Sequence, residues 1–116
     1  MLKYFFSFLI PFSISIALCG QTHLPKVSSG TLIRKDSFHS KYVEHRNIDI
    51  WLPEGYSADK KYAVLYMHDG QMLYDSTTNW NHQAWDIDDI GQNLLNEKKV
   101  RPFIVVGIWN RSEEHT

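Results

Sequence analysis

This sequence has a single cysteine, no marked excess of positive or negative charge and no internal repeat. The 116 residues include a single cysteine, Cys19, so the chain cannot form an internal disulfide or a site built from several thiolates. The net charge is −1, which gives no reason to expect nucleic acid or an anionic membrane surface as a partner. No repeat and no low-complexity tract is present. The composition is 43% hydrophobic and 14% aromatic, which excludes a disordered chain and suits one small domain.

The N-terminus carries the pattern of a secretory signal peptide. Lys3 precedes an apolar run, and small residues occur around Cys19 at its end. The run is short for a membrane anchor, is interrupted by Pro11 and has no basic cluster after it. A lipoprotein signal is disfavoured because Leu18 stands where a small residue should precede the lipidated cysteine. We therefore expect a signal peptide over residues 1–20, and a secreted or periplasmic protein that is free of the membrane once the signal is removed.

The next part of the chain predicts two strands that start a sheet. Residues 21–41 form a polar lead-in followed by a possible first strand, TLIRKDSF. A second strand follows in YVEHRNIDIWLP, where Ile48, Ile50 and Leu52 form an apolar face of period two. Pro53 ends it, since proline has no N–H to give to the sheet ladder. Alternation of this kind is typical of an antiparallel strand with one covered face.

Two later segments, YAVLYMH and RPFIVVGIW, are apolar on both faces and are predicted to be interior strands covered on both sides. Between them, WDIDDIGQNLLNEKK places Ile87, Ile90 and Leu94 at helical spacing, with acids early and lysines late to suit the helix dipole. Strand–helix–strand with two buried strands predicts a parallel βαβ unit. The predicted fold class is therefore α/β: a mixed sheet with an antiparallel start and one βαβ unit, the N-terminal part of an α/β-hydrolase fold.

The polar stretch HDGQ follows the first buried strand without a gap. In a parallel sheet ligands bind beyond the carboxyl ends of the strands, and a glycine there lets successive N–H groups point into a cavity. YAVLYMHDGQMLYD is followed, in order, by a tryptophan-led helix start and by VVGI-x-N. This combination resembles the putative-esterase family of α/β-hydrolases, which includes ferric-enterobactin esterase-like proteins and esterase D. The resemblance covers about residues 42–110.

The resemblance implies an active-site loop. The backbone N–H of Gln71 would be a donor of the oxyanion hole, which stabilises charge that appears only in the tetrahedral transition state. Gly70 would permit the loop conformation that this requires. Four further residues would shape the loop or line the substrate cleft: His68, Asp69, Trp80 and Trp85.

One part of the family pattern is absent from this sequence. No G-x-S-x-G nucleophile elbow occurs in it, so neither nucleophile nor base of a triad can be assigned. The predicted function is that of the N-terminal fragment of an exported serine esterase, which transfers the acyl group of a small-molecule carboxylic ester to water. The fragment by itself is expected to be inactive. The alternative is a noncatalytic exported binding module with a Trp-rich cleft.

No metal or cofactor is predicted, and the tail is expected to be foreign. DIDDIGQNLLNE partly matches a calcium loop, but Ile90 occupies a position that needs an oxygen ligand, so a helix is favoured. The tail RSEEHT, residues 111–116, back-translates as AGA TCG GAA GAG CAC ACG, the start of a common sequencing adapter. We therefore expect the native sequence to differ after Asn110.

Overall fold

The structure is a computed structural model that describes residues 23–110. The predicted signal peptide, residues 1–20, and the predicted foreign tail, residues 111–116, lie outside the described residues.

Four strands form one mixed sheet. They are β1 (Thr31–Phe38), β2 (Arg46–Leu52), β3 (Ala63–Met67) and β4 (Phe103–Ile108), in the spatial order β1-β2-β4-β3. β1 pairs antiparallel with β2 and β2 with β4, whereas β3 and β4 are parallel. The helix α1 (Ile87–Asn96) lies in the connection from β3 to β4. The prediction of a mixed sheet with an antiparallel start and one βαβ unit is confirmed.

The core lies on the face of β2 that carries Asp49 and Trp51. Both residues are fully buried, whereas Ile48, Ile50 and Leu52, the apolar face expected from the alternation, are only half-buried. The buried apolar cluster around this face consists of Leu32, Trp51, Leu73, Tyr74 and Val105. A charged residue can occupy the core face because its charge is neutralised there, as described below.

The helix α1 turns a different face to the sheet than its apolar pattern predicts. Asp88 and Gly91 are buried, while Ile90 is 53% exposed. Gly91 lets the helix pack closely on this face, because a Cβ at this position would lie 3.1 Å from the tip of the Phe103 ring and 3.5 Å from the Trp51 ring. The helix also ends at Asn96, before the lysines that were expected in its last turn. Among residues 23–110, no helix has the length and apolar character needed to cross a bilayer.

The lead-in before β1 is fixed to the rest of the fold by two carboxylates. The Lys26 backbone N–H donates to Asp75 Oδ2 at 2.9 Å. The backbone N–H of Ser28 donates to Asp88 Oδ2 at 2.6 Å, and its hydroxyl donates to the same oxygen at 2.8 Å. The polar character of this segment therefore reflects specific hydrogen bonds rather than a free linker.

β3 lies at an edge of the sheet within the described residues. It pairs with β4 on one side, and Val64, Leu65 and Tyr66 are 44%, 45% and 69% exposed. The prediction that YAVLYMH is an interior strand covered on both faces is contradicted. Within residues 23–110, β3 has a strand partner on one edge only, and its faces are also incompletely covered.

Candidate active site

A cavity of about 490 Å³ opens where β3 and β4 reach their carboxyl ends. Its walls come from the loop after β3, the end of β4 and the start of β2: Val43, Arg46, His68, Asp69, Ile108, Trp109 and Asn110. The carboxyl ends of parallel strands are the usual ligand-binding edge of an α/β sheet. Two of the predicted site residues, His68 and Asp69, therefore meet in one cavity.

The loop after β3 has its unusual backbone conformation at Asp69. This residue is left-handed, with φ 54° and ψ 44°, and is followed by a 3₁₀ helix over Gly70–Met72. The Met72 N–H donates to the Asp69 carbonyl oxygen at 2.8 Å and closes the turn. The sequence had suggested Gly70 for the special conformation. Asp69 takes it instead, since aspartate enters the left-handed region more readily than most residues.

Gly70 is required for a different reason, the close approach of the loop to β4. A Cβ at Gly70 would lie 2.8 Å from the carbonyl carbon of Gly107 and 2.9 Å from Cδ1 of Trp109. A Cβ at Gly107 would in turn lie 3.2 Å from the Gly70 Cα and 2.8 Å from a methyl of Leu73. Two backbones meet here with no room for a side chain on either, so the loop rests directly on β4.

Gln71 ties the loop to the residue that follows Trp109. Its side-chain Oε1 accepts the backbone N–H of Asn110 at 3.0 Å. Neither this hydrogen bond nor the one between Met72 and Asp69 uses the backbone N–H of Gln71. The role of that N–H as an oxyanion donor stays a prediction.

Trp80 and Trp85 lie outside the lining of this cavity. Their side chains are 67% and 46% exposed. The Trp85 backbone N–H donates to the carbonyl oxygen of Met72 at 3.0 Å, which links the tryptophan segment to the end of the 3₁₀ helix. The cavity at His68 is therefore not a cleft lined by these two tryptophans. Their role in lining or supporting a substrate cleft stays a prediction.

A buried ion pair lies behind Trp109, and neither of its members was predicted to belong to the site. Arg34 Nε donates to Asp49 Oδ1 at 2.7 Å and Arg34 Nη2 to Asp49 Oδ2 at 2.9 Å. Trp109 Nε1 donates to the same Oδ2 at 2.8 Å. A signal for the pair existed: Arg34 and Asp49 lie directly opposite each other in the β1–β2 register, where opposite charges attract.

Arg46 was also missed, although it brings a positive charge to the cavity wall. Its Nη1 donates to the carbonyl oxygen of Trp109 at 3.2 Å. Arg46 is the first residue of β2, which runs antiparallel to β4 and so begins where β4 ends. Its position could have been inferred only after β2 and β4 were known to pair.

The chemistry available here is binding and polarisation. The cavity lining includes a guanidinium, an imidazole and a carboxylate, but no serine, threonine or cysteine. In the core, burial first and then the negative charges of Asp49 and Asp88 raise the pKa of Tyr74 far above its ordinary value, so its phenol stays neutral. Across residues 23–110, no three His, Cys, Asp or Glu side chains are grouped to hold a metal ion.

An antiparallel start, a parallel βαβ unit and a polar loop at the end of its first strand are the arrangement with which α/β-hydrolases begin. A family model described as "Putative esterase" matches residues 40–115. The chain belongs to this esterase family, as the resemblance of HDGQ and its surroundings had implied.

Several solved structures are similar to this chain. They include a feruloyl esterase module from Clostridium thermocellum complexed with sinapinate (24% identity, TM-score 0.49, 72% of this chain and 28% of that one). A ferulic acid esterase from the anaerobic fungus Anaeromyces mucronatus shows 30% identity and a TM-score of 0.49 over 73% of this chain and 31% of its own. The BES protein from Bacillus cereus shows 17% identity and a TM-score of 0.46 over 79% and 32%. The chain thus spans 28% to 32% of the length of these structures.

Proposed function

We propose that this chain is the N-terminal part of an exported serine esterase that hydrolyses small-molecule carboxylic esters. The observation that carries the proposal is the esterase-family match over residues 40–115. The position of the HDGQ loop supports it, because His68 and Asp69 border a cavity at the ligand-binding edge of the sheet. The alternative of a noncatalytic binding module is not favoured by that match.

In this proposal the Gln71 backbone N–H is one donor of an oxyanion hole. A serine of the longer protein attacks the ester carbonyl, and the carbonyl oxygen becomes an oxyanion that this N–H stabilises. A general base of the longer protein takes the serine proton and gives it to the alcohol, which leaves as the tetrahedral intermediate collapses to a serine ester; water then hydrolyses that ester with the help of the same base. The contact of Gly70 with Gly107 favours a fixed donor, since a loop resting on backbone has little freedom to withdraw.

The test is to clone the complete gene and assay its product. We expect a G-x-S-x-G elbow followed by an Asp or Glu and a His, and turnover of p-nitrophenyl acetate that a fluorophosphonate blocks. The elbow Ser→Ala variant is the control for the nucleophile. Residues 23–110 alone should show no turnover above a heat-treated blank. A folded full-length product with neither elbow nor turnover would contradict the proposed activity.

Export is tested separately from chemistry. We expect the mature protein to begin between Gly20 and Thr22 and to be released to the periplasm or the medium. N-terminal sequencing of the released protein checks this. Recovery of the protein in the membrane fraction with Met1 intact would instead indicate an anchor.

A further inference from the structure

The Arg34–Asp49 pair is unusual because it places two charges inside the sheet core. Asp49 is fully buried and the side chain of Arg34 is 6% exposed. Burying an ion pair costs desolvation free energy, and apolar residues of similar size are often at least as stabilising. Global stability alone is therefore a weak explanation for the pair. Its geometry suggests another function.

The pair holds the indole of Trp109 on two sides. Asp49 Oδ2 accepts the indole N–H at 2.8 Å, and the guanidinium carbon of Arg34 lies 4.5 Å from the centroid of the Trp109 ring. A hydrogen bond to the ring edge combined with a cation over the ring face fixes both the rotation and the tilt of the indole. The Trp109 side chain is therefore locked from within the core.

The indole of Trp109 packs against the loop that carries the candidate oxyanion donor. Its Cδ1 lies only 2.9 Å from where a Cβ at Gly70 would be, so the loop backbone is packed against the ring. The next residue, Asn110, donates its backbone N–H to the Gln71 side chain at 3.0 Å. Trp109 and Asn110 thus contact the loop at two successive residues, Gly70 and Gln71.

We propose that Asp49 and Arg34 are positioning residues, which set the place of the Gln71 backbone N–H through Trp109. The route runs from the buried carboxylate to the indole, and from the indole to Gly70 and its neighbour. Neither Asp49 nor Arg34 is among the residues that line the cavity, so they act on the site only through the residues that do. The effect on turnover rests on the proposed esterase function, whereas the effect on the loop does not.

The test compares Trp109→Phe with Trp51→Phe in the full-length protein. Both indoles donate one hydrogen bond, Trp109 to Asp49 and Trp51 to the carbonyl oxygen of Ser29 at 2.9 Å. Trp109 packs against Gly70, whereas the close glycine neighbours of Trp51 are Gly30 and Gly91, outside the loop, so Trp51→Phe is a matched control for the loss of a buried indole. Asp49→Asn is a further variant, which keeps the side-chain shape and removes the charge.

The first readout is amide hydrogen exchange at Met72 and Asn110, whose N–H groups are hydrogen-bonded within the site. In Trp109→Phe we expect exchange at these two amides to become about tenfold faster or more, as local opening grows easier, with no comparable change in α1. Trp51→Phe should lack this selective effect. Exchange that is unchanged at both amides in Trp109→Phe, or that accelerates uniformly through β1, β2 and β4, would overturn the proposal.

The second readout is steady-state kinetics. A donor displaced by a fraction of an ångström acts mainly on the transition state, so kcat should fall about tenfold or more in Trp109→Phe and Asp49→Asn, with KM nearly constant. Trp51→Phe should keep the wild-type kcat while its melting temperature falls. A rise in KM at constant kcat would overturn a positioning role. A wild-type protein without turnover would refute the proposed function and leave hydrogen exchange to decide the inference.

Discussion

Substitution of Gly70 by alanine is the sharpest perturbation of the candidate active site. The new methyl group would lie 2.8 Å from the carbonyl carbon of Gly107 and 2.9 Å from its oxygen. Carbon atoms in contact prefer about 3.5–4.0 Å, so the overlap is on the order of 1 Å. Gly107 cannot retreat, because β4 is paired on both edges there, with Asp49 of β2 and Met67 of β3. The loop must move instead.

The expected cost can be divided between folding and turnover. Overpacking of this kind costs about 1–3 kcal/mol of unfolding free energy, which a domain of ordinary stability of about 5–15 kcal/mol survives. A shift of about 1 Å in a catalytic donor costs on the order of a hundredfold in rate, similar to the loss of one oxyanion-hole donor. We therefore expect folded Gly70→Ala to lose about a hundredfold in kcat, and Gly70→Val to lose at least as much.

The assay is kcat and KM of the full-length protein on p-nitrophenyl acetate, with a thermal melt to show that each variant is folded. Gly91→Ala is the matched control, since its closest neighbour is the tip of the Phe103 ring at 3.1 Å and it lies outside the site. That variant should keep the wild-type kcat. If folded Gly70→Ala retains kcat within about threefold of wild type, the oxyanion role of this loop is refuted.

Three further predictions follow from individual contacts. Gln71→Ala removes the acceptor of the Asn110 N–H and should cost about 1 kcal/mol in a denaturant melt, but much less kcat than Gly70→Ala, because the proposed donor is main chain; equal losses of kcat would contradict this. Hydrogen bonds from the Thr77 hydroxyl, then from the backbone N–H groups of Lys26 and Thr77, lower the pKa of Asp75 below 3.8. The ionised Asp75 should therefore stabilise the fold above pH 3.8, and this stabilisation should be lost as the pH falls through the lowered pKa. Wild type and Asp75→Asn should differ in melting temperature at pH 7 and converge in acid. A difference in melting temperature that does not change with pH would contradict this prediction. Residues 23–110 expressed alone should self-associate through the open edge of β3. Tyr66→Lys, which places a charge on this exposed strand, should reduce the light scattering of the fragment. Unchanged light scattering in this variant would mean that another surface causes the association.

The local features of the fold were predictable from sequence because each depends on a few neighbouring residues. The segment TLIRKDSF forms β1 over the same residues, and Pro53 follows the last residue of β2. The parallel pairing of β3 and β4 follows from two apolar segments joined by a helix. In the candidate site, His68 and Asp69 reach the cavity because they directly follow β3.

The buried faces and the remaining site residues were not predictable, because they depend on distant contacts. Asp49 occupies the core face of β2 because Arg34 neutralises it across the hairpin, which no hydrophobic pattern reveals. The buried face of α1 is the one on which Gly91 packs against Phe103 and Trp51 and Asp88 accepts hydrogen bonds from Ser28. The cavity wall needs the end of β4 to meet the start of β2, more than 50 residues apart in sequence.

The spatial order of the strands makes the folding of this region depend on its last-synthesised strand. β4 emerges from the ribosome after the other three, yet it lies between β2 and β3 and supplies two of the three strand pairings. Until it arrives only the β1–β2 hairpin can form by local pairing, and β3 exposes its apolar side chains to any chaperone nearby. The segment before β1 also depends on later residues. The backbone N–H groups of Lys26 and Ser28 donate to the carboxylates of Asp75 and Asp88, which lie 49 and 60 residues further along the chain. Such non-local closure is slow, so pairing of β4 rather than formation of the β1–β2 hairpin should limit the rate at which this region folds.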